Sequence, residues 1–141
     1  MIDFAEVNAA IQARMTAQWT ATPVANIAFV NVPFTPPADG SPWMRLSAVE
    51  RQSQKPVDWK AVETTGQRVY GAIYIVAYVQ AGSGDAALEQ LLTAAKALFE
   101  GVTFTTTNYT VRTQSSTFLP AATEAGWFKK LIMINFWASH T

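Results

Sequence analysis

The sequence predicts an α+β domain: a mainly antiparallel sheet of about five strands with two helices packed on one face, in the order helix, strand, strand, strand, helix, strand, strand. Three observations carry that prediction. Apolar residues recur at helical i, i+3/i+4 spacing near residues 3–19 and again between Asp85 and Gly101. Gln67 to Gln80 and Trp127 to Ala138 are apolar at both odd and even positions, as central strands are. Two helices cannot cover both faces of such a sheet, so one face is left carrying tyrosines, Trp137 and Met133, more apolar surface than a solitary monomer shows.

The first helix opens at Asp3, with Glu6 three residues on in the arrangement of a capping box. Phe4, Val7, Ile11, Met15, Gln18 and Trp19 form its inward face, and Thr20 to Pro23 ends it, since the residue before a proline leaves the α region. Val24 to Val32 is a β-rich strand. The Pro33 to Pro42 stretch after it is an irregular loop rich in proline. Trp43 to Arg51 alternates, with Met44, Leu46 and Ala48 on one face. Residues 52–66, interrupted by Pro56, are polar and predict a mobile arm.

In the third strand, Val69, Ile73, Ile75, Ala77 and Val79 face one way and Tyr70, Tyr74, Val76 and Tyr78 the other. Asp85 is placed to cap the second helix, Leu88, Leu91, Leu92, Ala95, Leu98 and Phe99 form its stripe, and Gly101 marks its end. Val102 to Arg112 is a Thr-rich, partly exposed strand, and Thr113 to Gly126 returns through Pro120 to the last strand. That strand sets Phe128, Ile132, Ile134 and Phe136 against Leu131, Met133 and Trp137. At 141 residues the chain is one domain.

Composition narrows the chemistry. There is no Cys and a single His, His140, next to the C-terminus. Thiol catalysis, thiolate zinc and multi-His metal sites are excluded, and a triad around a terminal His, which frays, is disfavoured. No catalytic residue, cofactor or metal site is assigned. Ten acidic and ten basic side chains balance, so the chain lacks the basicity of a non-specific nucleic-acid binder. Charged residues make up 14% of the chain, where about 25% is usual, which points to surface buried against a partner, copies of itself included. The apolar run Val69 to Val79 is far short of the ~20 residues of a membrane helix. The first six residues hold two acids and no basic segment, unlike a signal peptide. A soluble, cytoplasmic protein without enzymatic activity is expected.

Several clusters compete for attention. The Gly82 to Asp85 turn precedes a helix but lacks a P-loop pattern, and Asp85 would repel phosphate. Asp39, Glu50, Asp58, Glu63 and Glu124 lie in or near loops, with nothing to fix a catalytic pair. Arg45, Arg51, Lys55, Lys60 and Arg68, with Trp43 and Trp59, suggest a single-strand nucleic-acid groove, but neighbouring acids neutralise much of it, and a solvated or protein-binding arm fits better. Lys129 and Lys130 read as a solvated strand end. The residues predicted to meet partners are Trp43, Arg45, Tyr70, Tyr74, Tyr78 and Trp137, side chains favoured at interfaces and equally at home in a core.

Taken in order, the amphipathic helix with Trp19, the stretch Asn31 to Pro37, Trp43-Met44-Arg45 opening a strand, the Ala81 to Asp85 turn before a helix ending Leu98-Phe99, and Gly126-Trp127 opening a final apolar strand resemble the tail terminator-like proteins of long-tailed phages and prophages. The resemblance covers nearly the whole chain. It implies a small α+β structural protein that caps the tail tube as a ring, a hexamer by resemblance, stops polymerisation of the tube and joins the tail to the head. It further implies three partners: copies of itself, the major tail tube protein, and a head-completion or connector protein. No membrane and no sequence-specific nucleic acid is involved. The protein would be found in the virion tail, and in the host cytoplasm during assembly. Another neck component is the nearest alternative. A small-molecule-binding domain, with a pocket between helices and sheet, is a more distant one.

Overall fold

A computed structural model describes residues 3–19, 26–29, 32–54 and 68–140. Its elements are α1 (Phe4–Gln18), β1 (Asn26–Phe29), β2 (Trp43–Gln54), β3 (Arg68–Gln80), α2 (Ala86–Phe99), β4 (Thr103–Thr105), β5 (Tyr109–Glu124) and β6 (Trp127–His140). The strands form one six-stranded sheet in the order β1-β2-β3-β6-β5-β4. β1 lies parallel to β2, and the other neighbours are antiparallel. Residues 55–66 of the expected arm lie outside the described residues, while residues 52–54 extend β2.

Both helices lie on one face. β3 contributes Val69, Ile73, Ile75 and Val79 to that side and β6 contributes Ile132, Ile134, Phe136 and Ala138, as their alternation predicts. Against them pack Val7, Ile11 and Met15 of α1 and Leu88, Leu91, Leu92, Ala95 and Phe99 of α2. Arg14 joins the two helices by donating from Nε to the Leu98 carbonyl at 3.0 Å. Its guanidinium sits 5.2 Å from the Phe104 ring centre.

The helix starts differ from expectation. Asp3 caps α1 by accepting from the Ala5 N–H at 3.0 Å. The reciprocal half of the capping box does not form. Asp3 donates its own N–H to the Tyr109 hydroxyl at 2.8 Å, and Glu6 accepts from Thr106 and Asn108 instead. Those bonds tie the first helix to the start of β5. Asp85 occupies the N-cap of α2, but its side chain makes no capping bond.

The sheet has six strands rather than five because the segment at 102–112 breaks in two. Thr106 donates its N–H to the Tyr109 carbonyl at 2.8 Å, folding β4 back onto β5. β5 then continues as strand through the stretch expected to be a return loop. It carries register shifts between Thr113 and Ser116 and between Leu119 and Ala122. Each extra residue reverses the side-chain alternation, and the second reversal restores it. Pro120 falls in the second irregularity, beyond the reach of β4, where no strand needs its missing N–H. β5 and β6 are joined by Ala125-Gly126, both at positive φ (49° and 84°), with Glu124 opposite Trp127. This is a two-residue turn of the primed type, whose twist matches the strands.

Nor does His140 fray. It ends β6 opposite Tyr109, with the two rings 5.0 Å apart. Lys129 and Lys130 are likewise engaged, Lys129 with Glu124 at 2.9 Å and Lys130 with Glu89 of α2 at 2.8 Å.

Gly71 is fixed by close approach. A Cβ there would lie 2.5 Å from the Val49 carbonyl oxygen and 2.6 Å from the ring of Phe136, its partner across the β3–β6 pair. Phe136 in turn stacks on Phe4 at 6.4 Å. Gly71→Ala is therefore expected to destabilise the fold by about 1–3 kcal/mol through overpacking, read as a lower urea midpoint at unchanged slope.

Two carboxylates stitch helices to strands. The Thr106 hydroxyl, with Asn108, holds the Glu6 carboxyl below its usual range, and Ser116, with help from Lys96, does the same for Glu100. A carboxyl lowered in the fold contributes stability that is full above the unfolded value near 4.5 and is lost as pH falls through the folded value. Glu6→Gln and Glu100→Gln should each lower the melting temperature at neutral pH. They should also flatten its further fall below pH 4.5, measured by thermal unfolding across that range.

Candidate functional site

The helices leave the other sheet face open. Across it run Arg68, Tyr70, Tyr74, Val76 and Tyr78 of β3, paired in register with Ser139, Trp137, Met133, Leu131 and Lys129 of β6. β2 adds Trp43, Arg45 and Ser47, and β5 adds Arg112, opposite Trp137. All six residues predicted to meet partners thus stand on one face, in two different settings.

At one end the face is closed by the chain itself. The proline-rich stretch connects two parallel neighbours, β1 and β2, so it must cross the sheet. It crosses on the open side, where Phe34 packs 5.2 Å from the Trp43 ring. Its turn is held by Asp39, which accepts from the Ser41 N–H at 3.0 Å and from its hydroxyl at 2.7 Å. Beneath it Trp43 and Tyr78, directly opposite in register, stack at 3.8 Å with 3° between their planes. Trp127 meets Trp43 edge-on at 5.9 Å. Trp43 and Tyr78 are each only 3% exposed, and with Ala28 they form a second small core. In the single chain they support the face rather than line it.

Over the rest of the face, arginines lie on the aromatics. Arg45 is 5.5 Å from the ring centre of Trp43 and 5.8 Å from that of Tyr78. Arg68 and Arg112 reach the Trp137 ring at 4.4 and 4.7 Å. Arg51, in step with Arg45, Ser47 and Val49 along β2 and next to the β-bulge between Glu50 and Gln52, stands on the same face. There it donates to the Tyr74 hydroxyl at 2.9 Å and to Asn135 Oδ1 at 3.3 Å. Arginine stems and planar heads suit this task, covering apolar rings while staying wet. Val49, which is 46% exposed, is the large apolar side chain of this face left most open. The sequence grouped Arg45 with Arg51 and Arg68 but not with Arg112, which strand register brings beside Trp137.

Among the described residues no group of three or more His, Cys, Asp or Glu side chains is arranged to hold a metal ion. No helix among them is long and apolar enough to cross a membrane. The helix side of the sheet is filled by buried aliphatic, Phe and Tyr109 side chains, and Tyr70, Tyr74 and Tyr78 stand on the opposite side. What the open face offers is a broad, arginine-rich contact surface.

The family model described as phage tail terminator protein matches residues 6–136. The chain belongs to that family. As a member of the tail terminator family it is a structural component of the phage tail. A solved structure whose name carries no function shares the fold, with a TM-score of 0.66 and 19% identity over 100% of this chain and 97% of that one. No curated protein sequence matches.

The two settings of aromatic residue in this tail terminator family member separate by mutation. Trp43→Ala, which empties the second core, should cost about 3–5 kcal/mol. Trp137→Ala, which removes a half-buried ring and its two cation contacts, should cost about 1–2 kcal/mol. Urea denaturation of the two variants reads the difference directly.

Proposed function

We propose that copies of this protein form a ring on the end of the tail tube, stop addition of further tube protein, and present the surface to which a head-completion or connector protein binds. The observation that carries this proposal is membership of the tail terminator family over residues 6–136. The architecture supports it. All helical cover is on one side of the sheet, so the other side remains for contacts with neighbours, and Arg45, Tyr70, Tyr74 and Trp137 are the proposed contact residues on it. Trp43 and Tyr78 act from beneath, holding Arg45 in place. Capping by complementary surfaces needs no titrating catalytic group, so interface side chains rather than loop carboxylates should govern it. Ring members meet through different patches on neighbouring copies, which an asymmetric two-sided sheet supplies.

The test is a phage lacking this gene. Electron microscopy should show tails of excessive or irregular length that do not join heads, with length and joining restored by the gene in trans. Tails of normal length that fail to join heads would assign the protein to another neck component instead.

A further inference from the structure

We infer that the arginine-covered face of the sheet docks the acidic helix side of a second copy of this chain. In one respect this rests on the proposed ring: it names the surfaces by which neighbours meet. The starting observation is an imbalance inside a neutral molecule. Among the described residues the open face carries Arg45, Arg51, Arg68, Arg112 and Lys129 against Glu124, and Asp39 lies on the crossing loop beside it. The chain has ten acids and ten bases, so an acidic excess must lie elsewhere on the same molecule. On the described helix side Arg14, Lys96 and Lys130 stand against Asp3, Glu6, Asp85, Glu89 and Glu100, with Lys96 paired to Glu100 at 3.9 Å and Lys130 to Glu89 at 2.8 Å. Asp85, exposed at the start of α2, makes no capping bond there.

Arg45, Arg68 and Arg112 make no ion pair among the described residues. Stacking on Trp43, Tyr78 and Trp137 fixes their heads while their N–H edges stay available for carboxylates, so docking orders little that is not ordered already. The two surfaces lie on opposite sides of one chain, so each copy can give one and receive the other. That is a head-to-tail contact, which closes to a ring or runs on as a filament. A nucleic-acid strand fits the face less well. Its stacking platforms would be aromatic rings, and here Trp43 and Tyr78 are buried and Trp137 is covered by two arginines.

The test uses the full chain in sedimentation velocity. Self-association should weaken steeply as sodium chloride is raised. Arg68→Glu/Arg112→Glu should weaken it on the order of a hundredfold with an unchanged circular dichroism spectrum. Asp85→Lys/Glu89→Lys, reversing the start of α2, should do the same. An equimolar mixture of the two variants should associate again, because each supplies the surface complementary to the other, and two misfolded variants would not. A wild type that is monomeric at every concentration and salt overturns the inference, as does salt-insensitive association or a mixture that stays monomeric. Binding of an oligo-dT strand that Arg68→Glu/Arg112→Glu abolishes, with self-association unaffected, also overturns it, in favour of nucleic acid. Tail length separates this inference from the proposed function. Normal tails in a phage carrying Arg68→Glu/Arg112→Glu overturn the docking alone, whereas normal tails that join heads in a phage lacking the gene overturn the capping function.

Discussion

The pairing of β3 with β6 sets the terms for the rest of the molecule. It runs without a register shift from Arg68 opposite Ser139 to Gln80 opposite Trp127, and both strands are interior to the sheet. An unbroken antiparallel pair assigns every alternate residue to a side. Most aliphatic residues and Phe136 go to the helix side, and the β3 tyrosines, Val76, Leu131, Trp137 and Met133 to the other. Gly71 belongs to the same constraint: Phe136 lies where a side chain at its partner position would be, and Phe4 of α1 rests on Phe136. The irregularities fall in the flanking pairs, β2 with β3 and β5 with β6.

With the helices on one side, the remaining aromatic surface still has to be shielded from water. The chain does this by two means. At one end the proline-rich crossover lays Phe34 over Trp43 and Tyr78. Elsewhere guanidinium groups lie over the rings, which keeps the surface hydrated at low charge density. The expectation of too much exposed apolar surface is thereby corrected: among the described residues that face is covered by the chain itself, and what meets the solvent is cationic.

The central strands, the two helical stripes and the side of each apolar residue in β3 and β6 were legible in the sequence, because periods of 2 and 3.6 survive wherever a strand or helix is regular. β5 was not. Its bulges at Thr113/Ser116 and Leu119/Ala122 reverse the alternation twice within a few residues, and with Pro120 the stretch reads as a loop. The break between β4 and β5 was hidden by a uniform run of Thr, each compatible with strand or turn. The capping box at Asp3 failed for a different reason: Tyr109 and Thr106 are distant in sequence, and no local pattern announces them. The contact face was partly legible. Aromatic residues, Arg45, Arg51 and Arg68 stand where alternation puts them, but Arg112 opposite Trp137 depends on strand register. Burial of Trp43 and Tyr78 depended on which side the proline-rich crossover takes, which composition does not encode.

The arginine layer also works against one arrangement. An exposed aromatic sheet face ordinarily invites its own image, and two copies closing sheet to sheet about a twofold axis would hide the whole surface in an isologous dimer. Here that closure sets four arginines against the same four arginines, with Glu124 as the near anion, and leaves their charge stripped of water and unmatched. In a protein with no net charge, long-range repulsion does nothing to prevent such a dimer. The guanidinium groups oppose it locally, which favours leaving the open face to a surface of opposite charge.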